Sequence, residues 1–300
     1  MNGGPRNIRV LSDSRPGHEN QSVGLADALA RRVPGAVVEV VRWPAGTGLL
    51  KRVELARAGE AVDLLIGAGH GTHLPLLAAA RKFGARSVVI MKPSLPTWFF
   101  DLCLIPRHDL AEPEADRGRV VATRGALNRI PEAPAVKTDT GVILIGGPSK
   151  HHAWDAEPLP AAIAQIVQAR PELAWTVGDS RRTPAGFTER LADVGATVVP
   201  HGQTQPGWLP KVLQAAREVW VTEDSVSMIF EALTSGARVG VLPMRVKNSS
   251  ARTVKAVQDL LADGFVRTFE QWRQAPGGWR AVPRLHETGR CAELILKRFF

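Results

Sequence analysis

The sequence EVWVTEDSVSMIFEALTSGARVGVL, residues 218–242, decides the fold class. Its two ends, Glu218–Thr222 and Arg238–Leu242, are short, mainly apolar runs rich in β-branched residues, which is typical of buried strands. Ser225–Thr234 between them has the apolar spacing of a helix. A strand, a helix and a second strand in this order predict a parallel sheet with helices covering its faces.

The same alternation continues through the chain in both directions from this unit. Further strands are predicted at Ile8–Leu11, Val37–Val41, Val62–Ile66, Ser87–Met91, Leu102–Ile105, Val142–Ile145, Leu173–Val177 and Thr197–Val199. Further helices are predicted at Glu19–Arg32, Thr72–Phe83, Pro158–Ala169, Pro184–Asp193, Gly207–Ala216, Ser250–Ala262 and Glu287–Phe300. The pattern pauses at Asn128–Thr140, where two prolines occur without periodicity. We therefore expect an α/β fold with two Rossmann-like doubly wound domains facing a cleft, at residues 1–134 and 135–284, and a C-terminal helix (285–300) that crosses back to the first domain.

The composition limits the classes of function. Of the 300 residues, 44% are hydrophobic, enough for a sizeable core, and no apolar run reaches the roughly 18–20 residues of a membrane span. The two cysteines, Cys103 and Cys291, are too few for a disulfide framework, and we find neither an apolar signal region nor an Asp-x-Asp metal motif. A net charge of +9 favours phosphorylated ligands or acidic lipid, but without a long basic tract nucleic acid is not expected as a partner. A cytoplasmic protein fits these features best.

The candidate site residues lie in polar loops directly after predicted strands, where open parallel sheets bind their ligands. Residues 12–21 (SDSRPGHENQ) follow the first strand and open a helix. Gly17 allows close backbone approach, the helix N-terminus favours an anion, and Asn20 adds a polar group. His18 can act as a general base near neutral pH. The alternative is a polar loop that only caps the helix.

Two more loops of the first half follow strands. Residues 67–73 (GAGHGTH) lack the third glycine of a dinucleotide fingerprint, so NAD binding is not expected. His70 and His73 have metal-like spacing but no third ligand nearby, so a backbone cradle for an anion or an acceptor is favoured over zinc. Lys92 follows the next strand and either neutralises a phosphate or is an ordinary surface lysine. The triplet at residues 98–100 (WFF) is expected in the core, with a membrane-touching edge as the alternative.

The second half offers candidate phosphate contacts after its first two strands. Residues 146–152 (GGPSKHH) combine glycines with Ser149 and Lys150, which suits a diphosphate, although the stretch is neither a Walker loop nor a hydrolase elbow. Arg181 and Arg182 follow the next strand, and arginine forks match the geometry of phosphate.

The segment after residue 222 holds the most specific set. Ser225 and Ser227 lie at a predicted helix N-terminus, where hydroxyls and amides can hold an oxyanion. Glu231 follows about two turns into the helix, where a carboxylate can accept hydrogen bonds from ribose hydroxyls. The alternative is a capped helix that carries a surface glutamate.

This last segment resembles the donor site of GT-B glycosyltransferases: a serine-rich helix start, a glutamate, then a small residue and glycine before a strand. The whole chain is similar to the bacterial relatives of the plant "elongated mitochondria" fission protein. The matching blocks occur in order over both halves, at residues 14–21, 67–73, 92–93, 146–149, 180–184 and 222–236. The resemblance implies ribose binding by the glutamate, phosphate binding by the hydroxyl and amide cluster, and no essential metal. The absence of tyrosine argues against short-chain epimerases, which need a Tyr-x-x-x-Lys pair.

On this resemblance we expect a metal-independent GT-B-type glycosyltransferase with a nucleotide-sugar donor and no cofactor. The expected donor contacts are Ser149, Lys150, Arg181, Arg182, Ser225, Ser227 and Glu231. His18 is the expected catalytic base, and the acceptor is expected near Gly17, Asn20, His70, His73 and Lys92. An envelope lipid or lipid-linked acceptor at the anionic inner face of a membrane fits the charge. The alternatives are a GT-B-like nucleotide-sugar epimerase and a non-catalytic fission-family interaction protein at a membrane.

Overall fold

The chain forms two compact units. The computed structural model describes residues 4–110, 118–133, 135–280 and 283–300. The described residues within 1–129, together with His286–Phe300, form the first unit, and those within Ile130–Leu285 form the second. In the described residues, each unit has one six-stranded sheet whose neighbouring strands are all parallel. The prediction of two Rossmann-like doubly wound domains is confirmed.

The strands and helices alternate along each unit. The first unit contains β1 (Asn7–Ser12), α1 (Pro16–Ala30), β2 (Val37–Arg42), α2 (Leu49–Ala56), β3 (Leu64–Ala68), α3 (His73–Phe83), β4 (Arg86–Ile90), β5 (Leu102–Pro106) and β6 (Val120–Thr123). The second unit contains β7 (Thr140–Leu144), α4 (Pro158–Ala169), β8 (Ala174–Gly178), β9 (Thr197–Val199), α5 (Trp208–Ala215), β10 (Glu218–Thr222), α6 (Val226–Ser235), β11 (Arg238–Leu242), α7 (Arg252–Ala262), β12 (Val266–Thr268) and α8 (Phe269–Gln274). The last helix, α9 (Glu287–Phe299), belongs to the first unit. The strand orders are β2-β1-β3-β4-β5-β6 and β12-β11-β10-β7-β8-β9.

The inner strands β3 and β5 of the first sheet are buried along their whole length, which explains why they are apolar throughout. Successive residues of β3 lie in opposite clusters, Leu64 with α1 and α9 on one face, and Leu65 with α2 and α3 on the other. From α9, Cys291 and Ile295 are fully buried in the first of these clusters. A strand buried on both faces gives a continuous apolar run, and such runs are the signal that located the strands in the sequence.

The structure differs from the sequence prediction at several elements. The predicted helix Pro184–Asp193 is wrong: the segment contains only a short 3-10 turn, Thr188–Leu191, and Gly186 has a φ of +81°, which is outside helical geometry. The prediction missed α2, β6, β12 and α8. The two missed strands are four and three residues long, and each lies at an edge of its sheet.

The aromatic triplet divides between core and surface. Phe100 is fully buried, but Trp98 is 69% and Phe99 53% exposed, so the core prediction is wrong for these two. They lie on a 3-10 turn, Thr97–Phe99, and their rings stack on each other with centroids 6.0 Å apart. We refer to Trp98 and Phe99 as the aromatic pair.

Among the helices of the described ranges, none is both long enough and apolar enough to cross a lipid bilayer.

Candidate functional site

In the first unit, a histidine–aspartate pair lies at the carboxyl end of β1. Nδ1 of His18, in the first turn of α1, is 2.9 Å from Oδ2 and 3.2 Å from Oδ1 of Asp13. Arg15 also contacts Asp13: its backbone N–H donates to Oδ1 at 3.2 Å, and its Nε lies 3.8 Å from Oδ2. A carboxylate at Nδ1 orients the ring and favours the tautomer with its proton on Nδ1, which leaves Nε2 as the basic atom.

The loop after β3 reaches the same place because β1 and β3 are neighbours in the sheet. A Cβ added to Gly69 would lie 2.4 Å from Nδ1 of His18 and 3.0 Å from Oδ2 of Asp13. Gly69 also has a φ of +85°, a conformation that residues with a side chain rarely adopt. Glycine therefore lets this backbone lie against the His18–Asp13 pair. The structure thus brings together two segments, 12–21 and 67–73, that the sequence analysis treated separately.

The two histidines of the 67–73 segment have different environments. His70 is exposed, whereas His73 is only 2% exposed, 5.6 Å from the Phe100 ring centre, with its Nδ1 3.2 Å from Ser94 Oγ. Burial, together with the nearby His70, lowers the pKa of His73 to about 4, so the ring is neutral at neutral pH. His73, expected near the acceptor, is therefore a buried neutral group beneath the surface.

The remaining acceptor-side candidates lie at or near the surface. Gly17 is exposed in α1, Asn20 is half-buried on the same helix, and Lys92 is exposed just after β4. No cluster of three His, Cys, Asp or Glu side chains suited to a metal ion occurs within residues 4–110, 118–133, 135–280 and 283–300.

In the second unit, hydrogen bonds join the loops that follow β7, β8 and β10. These loops meet because β7 lies between β8 and β10. The N–H of Gly146 donates to Thr222 Oγ1 at 2.8 Å, and the N–H of Gly147 donates to Asp224 Oδ2 at 3.0 Å. Ser180 Oγ donates to the carbonyl oxygen of Gly146 at 3.0 Å. Both glycine N–H groups are therefore used within the protein, whereas the sequence analysis expected this loop to cradle a diphosphate.

The Arg182 side chain, from the loop after β8, contacts the loops after β7 and β10. Its Nη2 lies 2.7 Å from Asp224 Oδ2, and its Nη1 donates to the carbonyl oxygen of Gly147 at 3.0 Å. The Asp224 side chain is fully buried, and its Oδ1 has no hydrogen-bond partner within the part of the chain that the structure describes. The Arg182 guanidinium is thus already paired, whereas the adjacent Arg181 is exposed.

Ser149 is hydrogen-bonded within the protein, whereas the neighbouring Lys150 is exposed. The Ser149 Oγ accepts from the backbone N–H groups of His151 at 3.2 Å and His152 at 3.0 Å, which closes the turn after β7. Lys150 is exposed. Burial lowers the pKa of His152, so this imidazole is neutral at physiological pH. Arg182 is exposed as well but is paired with Asp224, whereas Lys150 and Arg181 make no ion pair within the described residues.

The α6 segment carries the buried polar candidates. Ser225 precedes the first residue of α6 and is 5% exposed, whereas Ser227 is exposed in the first turn. Glu231 is 8% exposed, so the alternative of a surface glutamate is wrong. Ser225 therefore lies at the start of the helix that follows β10, and Glu231 lies buried farther along the same helix.

The sequence analysis gave no role to Asp13, Asp224 or Lys247. The first two follow β1 and β10 by one and two residues, and Lys247 lies in the loop after β11, where its Nζ donates to the Ser149 carbonyl oxygen at 3.3 Å. The positional signal that located His18 and Arg181, a polar side chain just beyond a strand, applies equally to these three.

Comparison with known proteins agrees with this architecture. At the level of sequence, Uncharacterized protein RP120 of Rickettsia prowazekii (strain Madrid E) is 22% identical over 349 residues, covering 96% of this chain and 97% of that protein. Among solved structures, the UDP-GlcNAc 2-epimerase from Methanocaldococcus jannaschii has a TM-score of 0.61 at 11% identity, with 97% of this chain and 98% of that chain covered. MurG from Acinetobacter baumannii has a TM-score of 0.53 at 14% identity, covering 98% and 100%. The glycotransferase of kitacinnamycin has a TM-score of 0.56 at 17% identity, with both chains covered fully.

These structural similarities show a shared GT-B-like fold. The family relationship rests on the sequence: the family model described as Mitochondrial fission ELM1 matches residues 16–299, nearly the whole chain. The chain therefore belongs to the mitochondrial fission ELM1 family.

Proposed function

We propose that this protein is a metal-independent GT-B-type glycosyltransferase with a nucleotide-sugar donor, acting in the cytoplasm. The observation that carries the proposal is Glu231, a carboxylate 8% exposed on the helix that begins at the carboxyl end of β10. A buried carboxylate needs polar partners, and the hydroxyl groups of a bound ribose can be among them. Binding of the donor's ribose hydroxyls is the role that the GT-B resemblance supports. Because the M. jannaschii structure is named for UDP-GlcNAc, uridine sugars are the first donors to test.

The first unit supplies the base in this proposal. Nε2 of His18 takes the proton of the acceptor hydroxyl as that oxygen bonds to the sugar carbon and the bond to the diphosphate breaks. Asp13, at Nδ1, orients the ring and stabilises the imidazolium that forms. Arg181, Lys150 and the N-terminus of α6 balance the negative charge on the departing diphosphate. The reaction calls for no cofactor.

The acceptor side faces a membrane in this proposal. The aromatic pair and Lys92 are exposed in one stretch of eight residues after β4, and the whole chain carries +9. Exposed aromatic rings next to a cation suit the interface of an anionic bilayer. We therefore propose a lipid or lipid-linked acceptor, reached by peripheral and salt-sensitive attachment to the inner face.

The test is ligand-induced stabilisation of the purified protein by UDP, UDP-GlcNAc and other nucleotide sugars. A ligand at about 100 times its Kd stabilises by about 2.7 kcal/mol, which a thermal-shift assay detects. We expect the shift in the wild type, its loss in Glu231→Gln, and its retention in Glu189→Gln, an exposed glutamate of the same unit. A Glu231→Gln protein that is folded and still shows the full shift would remove Glu231 from the donor site.

A nucleotide-sugar epimerase is the second candidate, favoured by the TM-score of 0.61 to a UDP-GlcNAc 2-epimerase. Product analysis separates the two reactions. Transfer releases a free nucleoside diphosphate and a glycosylated acceptor, whereas epimerisation returns an isomerised nucleotide sugar. Family membership favours a third candidate, a non-catalytic interaction protein at a membrane. It predicts that Glu231→Gln leaves the cellular role intact.

A further inference from the structure

A cavity of about 730 Å³ opens in the second unit at the edge opposite the proposed donor site. Its walls include Arg238 and Val266, the first residues of β11 and β12, and the segment Gly278–Arg280. The volume lies within the range of roughly 300–1,000 Å³ found for small-molecule sites. Parallel strands place their first residues at one edge and their last residues at the other, so this cavity lies at the amino ends of the strands.

The cavity is separate from the proposed donor site. The four steps of β11, from Arg238 to Leu242, span about 13 Å at ~3.3 Å per residue. None of the proposed donor contacts is among the described residues that line it. The helix α6 runs between the two edges: it begins at the donor edge, and Leu233 near its end lines the cavity.

The cavity is strongly positive. Four arginines line it, at positions 238, 267, 280 and 284, and no aspartate or glutamate occurs among its described lining residues. Arg284 donates to three main-chain carbonyl oxygens and Arg267 to two. Carbonyl oxygens carry no net charge, so both guanidinium groups keep their positive charge.

Arg238 and Arg280 are the two arginines that remain available to a ligand. Both are exposed, and within the described residues neither makes a side-chain hydrogen bond or an ion pair. The register partner of Arg238 on β10 is Glu218, which could in principle neutralise it. However, Glu218 is fully buried and forms its ion pair with Arg170, and its attraction to Arg238 acts through space without a hydrogen bond. Two forked cations thus face the cavity without a carboxylate among its described lining residues.

The cavity also has an apolar wall that suits an organic body. Trp279 is half-buried, and its ring centre lies 5.6 Å from the Arg267 guanidinium carbon. Phe265 and Leu233 line the cavity beside it. The arginine fork binds phosphate oxygens in pairs. We propose that this cavity binds a small organic phosphate, with its phosphate at Arg238 and Arg280 and its body against Trp279. This site is independent of the proposed transfer reaction.

Two probes distinguish the sources of such a phosphate: inorganic pyrophosphate for a soluble ligand, and vesicles that contain phosphatidic acid for a lipid headgroup. The test variant combines Arg238→Gln with Arg280→Gln. The matched control combines Arg57→Gln with Arg81→Gln, two exposed arginines of the first unit, and removes the same charge. Binding is measured by calorimetry and co-sedimentation at physiological ionic strength, and hydrogen exchange of residues 264–280 locates the bound probe.

We expect at least a tenfold loss of affinity for one of the two probes in the test variant and less than twofold in the control. Protection of residues 264–280 by pyrophosphate indicates a soluble ligand, and protection by vesicles alone indicates a lipid. Equal binding of both probes by the test variant and the control, or no protection at 264–280, overturns the proposal. If the double variant does not fold, Arg280→Gln alone, in an irregular segment, gives the same comparison against Arg280→Lys, which keeps the charge.

Discussion

The buried His73 makes the stability of the first unit dependent on pH in a way that can be calculated. Its pKa is about 4 in the folded protein because the ring is buried next to His70, compared with 6.5 in the unfolded chain. The difference corresponds to about 3 kcal/mol at ~1.4 kcal/mol per pH unit. The unfolded chain takes up the proton first, so this stability is present above pH 6.5 and is lost as the pH falls toward 4. About 2 kcal/mol of it is lost by pH 5.

The assay is urea unfolding of the wild type and His73→Asn at pH 7.5 and pH 5. The quantity compared is the change in the free energy of unfolding between the two pH values, because the substitution also alters packing at both pH values. We expect the wild type to lose about 2 kcal/mol more than His73→Asn over this range. Leu74→Gln, at the next position of α3 and 48% exposed, introduces no titrating group and should match the wild type. Equal pH dependence in the wild type and His73→Asn would refute the reasoning.

Three further predictions concern the loops and the surface. A Cβ on Gly147 would lie 2.1 Å from the Arg182 carbonyl oxygen, so Gly147→Ala should lower the free energy of unfolding by about 1–3 kcal/mol. The control is Gly202→Ala, which should leave that free energy unchanged because a Cβ there would meet no atom within 4 Å. Arg182→Ala and Asp224→Asn should show a coupling of about 1–3 kcal/mol in a double-mutant cycle of urea unfolding, and simple additivity would argue against the ion pair. Trp98→Ser should reduce co-sedimentation with anionic vesicles several-fold at unchanged Tm because the ring is 69% exposed; unchanged co-sedimentation would exclude the aromatic pair from membrane contact.

The fold could be predicted from the sequence wherever burial is complete on both faces of a strand. Strands such as β10 and β11 are apolar runs, and the 3.6-residue spacing of α6 between them identified the unit. The strand β12 could not be predicted, since Arg267 interrupts its three residues and its pairing with β11 depends on contacts distant in sequence. The false helix at 184–193 shows the limit of spacing alone: Phe187 and Leu191 are buried, but Gly186 turns the backbone out of helical geometry.

For the candidate site, the sequence located the right loops but could not assign partners. It placed His18 and Arg182 beyond strands, as the structure does, yet the carboxylates that bind them come from the loop itself or from a distant strand end. Asp13 is five residues before His18, and Asp224 lies on another loop from Arg182. Which cation is paired and which is open to a ligand depends on these contacts, and spacing along the chain does not reveal it.

The position of α9 also affects how the protein is made. The second unit is one continuous stretch, so all of its described strands are available once residue 285 has been synthesised. The strands of the first unit come earlier in the sequence. However, Cys291, Ala292 and Ile295 of α9 cover part of its sheet, and they follow the whole second unit. The unit whose strands are translated first is therefore completed after the second unit, and the α1 face of its core lacks this cover until residue 295 has been synthesised.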